Sequence, residues 1–162
     1  MIRRAVRYAL VSVLFIIVQT KILRLLSIEG ITPDLLTVWI AYIALREGQL
    51  TGTLWGFGVG LLFDIVAGDF IGLAAFSGTI AGFAAGYFYN ENKTLLTLGS
   101  YRFIVVTLIV SAVHNLFYFT IYTRGSEISI LRAVFEIGLA TTLYTGILSL
   151  LPMIVFSRRL AR

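Results

Sequence analysis

Residues 33–86 read PDLLTVWIAYIALREGQLTGTLWGFGVGLLFDIVAGDFIGLAAFSGTIAGFAAG, and this stretch decides how the chain can fold. Ten of the fifteen glycines lie here. Many are four residues apart: Gly48, Gly52, Gly56 and Gly60, then Gly68 and Gly72, then Gly78, Gly82 and Gly86. A four-residue step stays on one face of a helix and drifts by about 40°. Because small residues on one face let helix backbones approach closely in a membrane, the stretch predicts apolar helices packed through glycine ridges.

The whole chain is apolar enough to lie in a membrane. Of its 162 residues, 59% are hydrophobic and 13% are charged, and the mean hydropathy is +0.95. Soluble domains carry about 25% charged residues. The apolar residues extend over the full length, which predicts an all-α integral membrane protein with a single polytopic domain over residues 1–162.

Composition also excludes several classes of function. The net charge of +5 comes from basic residues at the ends of apolar segments, which is typical of membrane topology rather than of nucleic-acid binding. The sequence has no cysteine and one histidine, which excludes thiolate sites and two-histidine metal sites. It also lacks phosphate-binding and nucleophile-elbow motifs. We therefore expect no enzyme activity, no cofactor, no metal and no nucleic-acid partner.

The apolar pattern predicts a bundle of six transmembrane helices. They cover about residues 5–26, 34–45, 50–67, 70–89, 101–122 and 130–156. The first resembles a signal peptide but lacks a small-residue cleavage site, so we interpret it as an uncleaved helix. The second would extend over only about 18 Å of a hydrocarbon core about 30 Å thick. We expect short, glycine-rich second and third helices, and a re-entrant hairpin of these two segments stays open.

Basic residues predict the orientation. Six crossings put both termini on one side, where nine basic residues would lie against four on the other side. Loops on the cytoplasmic side carry the excess of Lys and Arg, so we expect a cytoplasmic-membrane protein with both termini in the cytoplasm. The nine are Arg3, Arg4, Arg7, Arg46, Lys93, Arg102, Arg158, Arg159 and Arg162, and the four are Lys21, Arg24, Arg124 and Arg132.

Asp64 continues the first glycine ridge, four residues after Gly60. A charged acid in the middle of a membrane costs on the order of 3 kcal/mol. One interpretation of Asp64 is a proton or ligand site. The interpretation that we favour is a polar anchor near the outer interface, hydrogen-bonded to backbone N–H groups of the Gly68 turn or to a partner protein.

Three further polar residues have structural and functional interpretations. Asp34 follows Pro33 at a predicted helix start, where helix capping is the favoured role. His114 and Asn115 lie in the middle of the fifth segment, where interhelical hydrogen bonding is the usual role and proton transfer by the histidine is the alternative.

Aromatic residues near segment ends are interpreted as interface belts; they are Tyr87, Phe88, Tyr89, Tyr101, Phe117, Tyr118, Phe119 and Tyr122.

Several short runs carry a family resemblance. They read TPDLL at residues 32–36, YIALREG at 42–48 and GLLFD at 60–64, with Gly52 before the last run and Gly68 and Gly72 after it. Together with QT at residues 19–20 and the length of 162 residues, they resemble the bacterial rod-shape-determining protein family MreD.

The resemblance implies a non-enzymatic membrane scaffold of the bacterial cell-elongation machinery, which supports lateral peptidoglycan synthesis and rod shape. The implied direct partner is MreC, and MreB, RodA and a class B penicillin-binding transpeptidase belong to the same machinery. Membrane lipids surround the protein, and a multimer with MreC stays open. The implied fold is similar to the substrate-binding subunits of energy-coupling-factor vitamin transporters. A small-molecule-binding or transport subunit of that type is therefore the alternative function.

We expect the residues that bind a partner or pack helices to lie within residues 33–86. Short helices are better covered by protein than by lipid, and glycine ridges let a partner helix approach closely. The MreC transmembrane helix is therefore expected to dock on this half. The candidate residues are Pro33, Asp34, Leu36, Trp39, Gly52, Gly56, Phe57, Gly60, Asp64, Gly68 and Gly72.

Overall fold

The structure, a computed structural model, describes residues 2–23, 25, 27, 31–68, 70–125 and 129–160. The elements in these residues are α1 (Ile2–Ile17), α2 (Leu35–Glu47), α3 (Gln49–Ala67), α4 (Leu73–Gly86), α5 (Thr94–Leu98), α6 (Tyr101–Tyr122), α7 (Leu139–Leu148) and α8 (Leu150–Leu160). A π-helical segment, Val18–Ile22, continues α1, and another, Arg132–Gly138, leads into α7. Arg24 and Arg162, used above for the orientation, lie outside the described residues.

Among the described residues, four helices are long and apolar enough to cross a membrane. They are Arg3–Ile22 (α1 with its π-helical continuation), Gln49–Ala67 (α3), Tyr101–Tyr122 (α6) and Arg132–Arg158 (the second π-helical segment with α7 and most of α8). α2 and α4 are shorter, with 13 and 14 residues. The helical membrane fold expected from the composition agrees with these helices, and the count of six crossings stays a prediction.

The third and fourth predicted segments differ most in length from the observed helices. The third segment, expected to be short, is α3, whose 19 residues extend over about 28 Å. The fourth, expected over residues 70–89, contains only the 14 residues of α4. Gly68 and Gly72, with φ of 74° and 99°, adopt left-handed conformations that end α3 and delay the start of α4. The glycine-rich pair is therefore α3 and α4, whereas α2 contains no glycine.

α2 is the central helix of the bundle. Eight of its 13 residues are buried, and its faces are apolar all round, which is typical of a helix enclosed by protein. The core that it shares with α4, α5 and α6 consists of Val38, Ala41, Ala44, Leu45, Ala81, Ala85, Leu98, Phe103, Val106 and Val110. Protein rather than lipid covers its sides, so its short length carries no cost of mismatch to the bilayer.

α3 and α4 form an antiparallel hairpin in which glycines of α3 face glycine or alanine of α4. The facing pairs are Gly52 with Gly82, Gly56 with Gly78 and Gly60 with Ala74. A Cβ at Gly78 would lie 2.6 Å from the carbonyl oxygen of Gly56. The backbones approach this closely because the glycines carry no side chain. The ridge predicted from the sequence therefore packs against a helix of the same chain.

α1 lies against α2 through polar and aromatic contacts. Trp39 Nε1 donates to Ser12 Oγ at 2.9 Å, and the Tyr8 hydroxyl donates to Glu47 Oε1 at 2.6 Å. The rings of Tyr8 and Phe15 meet the Trp39 ring edge to face, at centroid distances of 5.8 and 5.2 Å. Trp39, a candidate partner-binding residue, therefore packs inside the chain.

The glycine contact predicts opposite outcomes for two neighbouring glycines of α3. Gly56→Leu should lower the free energy of unfolding by about 1–3 kcal/mol or more, because the new side chain meets the backbone of Gly78. Gly58→Leu should leave folding intact, because nothing lies within 4 Å of a Cβ at Gly58. Thermal unfolding in lipid nanodiscs measures both variants, and equal destabilisation would contradict the α3–α4 contact described here.

Candidate functional site

α2 begins inside the protein, and three side chains satisfy backbone N–H groups at its start. Asp34 Oδ1 accepts from the Thr37 N–H at 3.0 Å. Gln19 Oε1 accepts from the Leu35 N–H, and Thr145 Oγ1 of α7 accepts from the Asp34 N–H, both at 2.9 Å. An N–H group left without a partner in hydrocarbon costs several kcal/mol. The capping role predicted for Asp34 is confirmed.

Asp64 caps the start of α4 from the end of α3. Its side chain is buried, at 1% exposure. The carboxylate accepts from the N–H groups of Gly72 at 2.9 Å, Ala74 at 3.0 Å and Ala75 at 3.2 Å. These bonds hold the two helices of the hairpin together at the turn that begins with Gly68. They confirm the interpretation of Asp64 as a polar anchor bonded to backbone N–H groups.

A cavity of about 360 Å³ lies where the start of α2 meets its neighbours. It is lined by the first residues of α2 and α4, the later residues of α3 and α6, the two π-helical segments and the start of α7. Its polar lining includes Asp34, Thr37, His114, Asn115 and Thr141. This size lies in the range of small-molecule sites, which combine apolar walls with a few placed polar groups.

Polar side chains from three helices meet at this cavity. His114 Nδ1 of α6 lies 3.5 Å from Asp34 Oδ2, and His114 Nε2 lies 3.2 Å from Ser77 Oγ of α4. The side chains of Asp34 and His114 are only 15% and 12% exposed. Nδ1 is buried without a hydrogen-bond partner in the described part of the chain. The contact with Asp34 becomes an ion pair when the imidazole is protonated.

A column of aromatic rings runs from His114 toward the end of α6. The Tyr118 ring stacks on the His114 ring at 5.8 Å and 19°, and on the Tyr122 ring at 6.0 Å and 12°. Residues four apart share a helix face, and this face lines the cavity. Tyr118 and Tyr122, which were interpreted as interface belts, both line the cavity, and their depth in the membrane stays a prediction.

Asn115 joins α6 to the start of the last long helix. Its amide nitrogen donates to the Gly138 carbonyl at 3.2 Å and to Thr142 Oγ1 at 3.0 Å. The side chain is buried, at 5% exposure. The predicted interhelical hydrogen bonding is confirmed for Asn115, which fixes one wall of the cavity.

The sequence-predicted residues fall into several groups rather than one site. Asp34, Leu36 and Gly60 line the cavity, and Pro33 is buried next to Asp34. Gly52 and Gly56 pack against α4, Trp39 packs against α1, and Gly68 and Gly72 shape the turn that Asp64 anchors. Phe57, at 51% exposure, points away from the bundle.

Sequence reasoning missed Gln19, Ser77 and Tyr118 as parts of the site. Gln19 was noted only within a family motif, although it accepts from the Leu35 N–H and its Nε2 donates to the Pro33 carbonyl at 3.0 Å. The spacing of His114, Tyr118 and Tyr122 was the available signal, because four-residue steps align side chains on one face.

Comparison with known proteins gives a family match. A protein-family model described as "rod shape-determining protein MreD" matches residues 2–157. No curated protein and no solved structure matches the chain significantly. In the described part of the chain, no group of three or more His, Cys, Asp or Glu side chains could hold a metal ion.

The cap at α4 predicts different outcomes for two substitutions of Asp64. Asp64→Asn should retain most stability and function, because Oδ2 alone accepts from all three N–H groups and one amide oxygen can replace it. Asp64→Leu should lower the free energy of unfolding by at least about 1–3 kcal/mol, because buried N–H donors lose their acceptor. Thermal unfolding and complementation of cell shape measure both. Equal functional loss at normal protein levels would instead favour a proton or cation site.

Proposed function

Because the chain belongs to the MreD family of rod shape-determining proteins, we propose that it is a non-enzymatic membrane scaffold of the bacterial cell-elongation machinery. The family match over residues 2–157 carries this proposal. In this role the protein binds MreC and supports lateral peptidoglycan synthesis. Its helices leave little mass outside the membrane, so a partner engages it through membrane helices or short loops.

We infer a location in the cytoplasmic membrane, with six crossings and both termini in the cytoplasm. The distribution of basic residues supports this orientation. Glu47 at the end of α2 lies 3.8 Å from Arg4 near the start of α1, and Phe156 of α8 stacks on Tyr42 of α2 at 5.6 Å. These contacts favour a topology in which the last residues of α2 lie beside the first residues of α1, at the same end of the bundle. They disfavour the re-entrant hairpin, and with the proposed orientation they support a cavity on the outer side.

Reporter fusions test this orientation. Fusions after Lys93 and Arg162 should report a cytoplasmic location, and a fusion after Gly125 should report an outer location. The expectation follows from the excess of basic residues near the first two positions. An outer report after Arg162 would contradict the proposed orientation.

The exposed face of α3, which points away from α4, is the surface that we propose for the MreC helix. Leu50, Leu54 and Phe57 are exposed there, at 74%, 62% and 51%. Gly58 lies beside them with open space around a Cβ. A glycine in a helix costs about 1 kcal/mol relative to alanine. No described residue of this chain packs against the open space at Gly58. A partner helix in close contact would use it.

This surface lies opposite the ridge at which docking was expected. Gly52, Gly56 and Gly60 face α4, so the closest-packing face of α3 is already covered. Leu36 is buried in the core as well, at 7% exposure. A partner that docks on this half of the chain therefore meets Phe57 and Gly58 rather than the ridge.

Gly58→Leu should round the cells while the protein accumulates normally, because the substitution separates the partner helix without touching the internal packing. Photo-crosslinkers at Leu54 and Phe57 should capture MreC, and those at the similarly exposed Ile109 and Leu143 should not. Cell shape, protein abundance and the mass of the crosslinked product are the measurements. Capture of MreC only from Ile109 or Leu143 would move the interface to the other half of the chain.

A further inference from the structure

A pocket of about 370 Å³ lies at the end of the bundle where α4 ends and α6 begins, and we call it the α6 pocket. Lys93, in the turn before α5, and Arg102, in the first turn of α6, both line it, whereas no described Asp or Glu does. Neither cation forms an ion pair with the residues that the structure describes. Like charges that share a pocket repel each other, so the α6 pocket favours an anion.

Thr97 of α5 adds a hydrogen-bond donor to the same pocket. It lines the pocket and is nine-tenths buried, at 9% exposure. Its backbone carbonyl accepts from Ser100 Oγ at 3.3 Å. Its own hydroxyl group makes no hydrogen bond with the described residues and is not fully enclosed. Because polar groups of buried side chains usually have a partner, this hydroxyl is available to an acceptor in the pocket.

The start of α6 borders the pocket and has the same polarity. Ser100 occupies the N-cap position, but its side chain makes no cap hydrogen bond. The next two residues, Tyr101 and Arg102, line the pocket. The first N–H groups of a helix carry a partial positive charge, and phosphate groups bind at such helix starts. The helix start therefore adds to the attraction that the two cations exert on an anion.

The α6 pocket continues into an apolar surface along α6. Val105 and Val106 line the pocket one turn after Arg102. Val105 and Ile109, four residues apart on one helix face, are 47% and 41% exposed. Ile109 lies about 10 Å along the helix from Arg102. A hydrocarbon chain attached to an anion in the pocket can therefore lie on this surface, which a small soluble anion would leave unused.

The depth of the pocket in the membrane matches that of a lipid headgroup. α6 is long and apolar enough to cross a membrane, and Arg102 is its second residue. In a membrane-crossing α6, its guanidinium lies close to the polar headgroups, and basic pockets between membrane helices bind anionic ones. A zwitterionic lipid also carries an ammonium group, for which the described lining has no carboxylate. The lining therefore favours a lipid with a net negative charge.

We propose that the α6 pocket binds an anionic phospholipid. Lys93, Thr97 and Arg102 bind its phosphate, and an acyl chain lies along Val105 and Ile109. The guanidinium donates two parallel N–H bonds to phosphate oxygens, which is its usual geometry with this group. The proposal goes beyond the scaffold role and does not depend on it, because it is tested by binding to the purified protein.

Native mass spectrometry of the purified protein in a neutral detergent measures the binding. Phosphatidylglycerol should form a saturable one-to-one complex. Phosphatidylcholine with the same acyl chains should bind at least about tenfold more weakly, because its ammonium group meets the cations of the pocket. Glycerol 3-phosphate, which has no acyl chains, should not displace an equal concentration of phosphatidylglycerol, because it cannot use the apolar surface.

The double variant Lys93→Gln, Arg102→Gln should weaken phosphatidylglycerol binding at least about tenfold, because it loses charge-assisted hydrogen bonds to the phosphate. Both side chains are exposed, so the fold should be kept. Thr97→Val keeps the shape of the side chain and removes the hydroxyl. It should weaken binding about two- to tenfold and leave thermal unfolding unchanged, because the hydroxyl makes no hydrogen bond with the described residues.

The matched control is the double variant Arg3→Gln, Arg7→Gln. It removes the same charge from two exposed residues of α1 that do not line the α6 pocket. α1 begins at the same end of the bundle, because Arg4 and Glu91 line one pocket there. The control should change the affinity by less than about twofold, because salt screens charges that do not contact the ligand.

Four results would overturn the proposal. The first is equal affinity for phosphatidylcholine and phosphatidylglycerol. The second is wild-type binding by the Thr97→Val protein and by the folded Lys93→Gln, Arg102→Gln protein; if that double variant does not fold, the Thr97→Val protein alone decides. The third is a loss in the α1 control as large as that in the pocket variant, which would indicate diffuse charge attraction. The fourth is displacement by an equal concentration of glycerol 3-phosphate, which would indicate a site for a soluble phosphate.

Discussion

Two helices of this protein begin beside side chains of other elements, and side chains satisfy the backbone N–H groups at both starts. α2 solves this with Asp34, with Gln19 from the π-helical segment after α1 and with Thr145 from α7. α4 solves it with the carboxylate of Asp64. Because inside a membrane each missing bond costs several kcal/mol, these few side chains determine where the two short helices can start. Because these side chains come from the π-helical segment after α1, from α7 and from α3, they also determine which elements lie beside the two starts.

α2 begins well short of the level at which α6 ends, and this offset is the physical reason for the cavity. His114, which contacts the α2 cap, lies eight residues before the end of α6 at Tyr122, a distance of about 12 Å along the helix. A longer α2 would occupy the space beside this part of α6. With α2 absent there, the space is lined instead by side chains of the surrounding helices, including Phe63 and Tyr118.

Local features of this fold could be predicted from the sequence, and features that join distant residues could not. The bounds of α6 and the capping role of Asp34 follow from apolar length and from the Pro-Asp start, which are properties of short stretches. The glycine spacing predicted a tight helix contact, but it could not name α4 as the partner helix, because a ridge looks the same whichever helix covers it. Asp34 and His114 are 80 residues apart in the sequence. Their contact depends on the depth at which α2 begins, which no local pattern encodes.

α3 has a face packed against α4, residues that line the cavity and an exposed face. Its ridge is locked against α4 by backbone contacts at Gly56 and Gly60 that leave no room for a side chain. Phe63, on the same helix, lines the cavity, and Phe57 and Gly58 lie on the exposed side. Closely packed elements shift together rather than deform, so a partner helix on the exposed face of α3 would act on the α3–α4 hairpin as one unit.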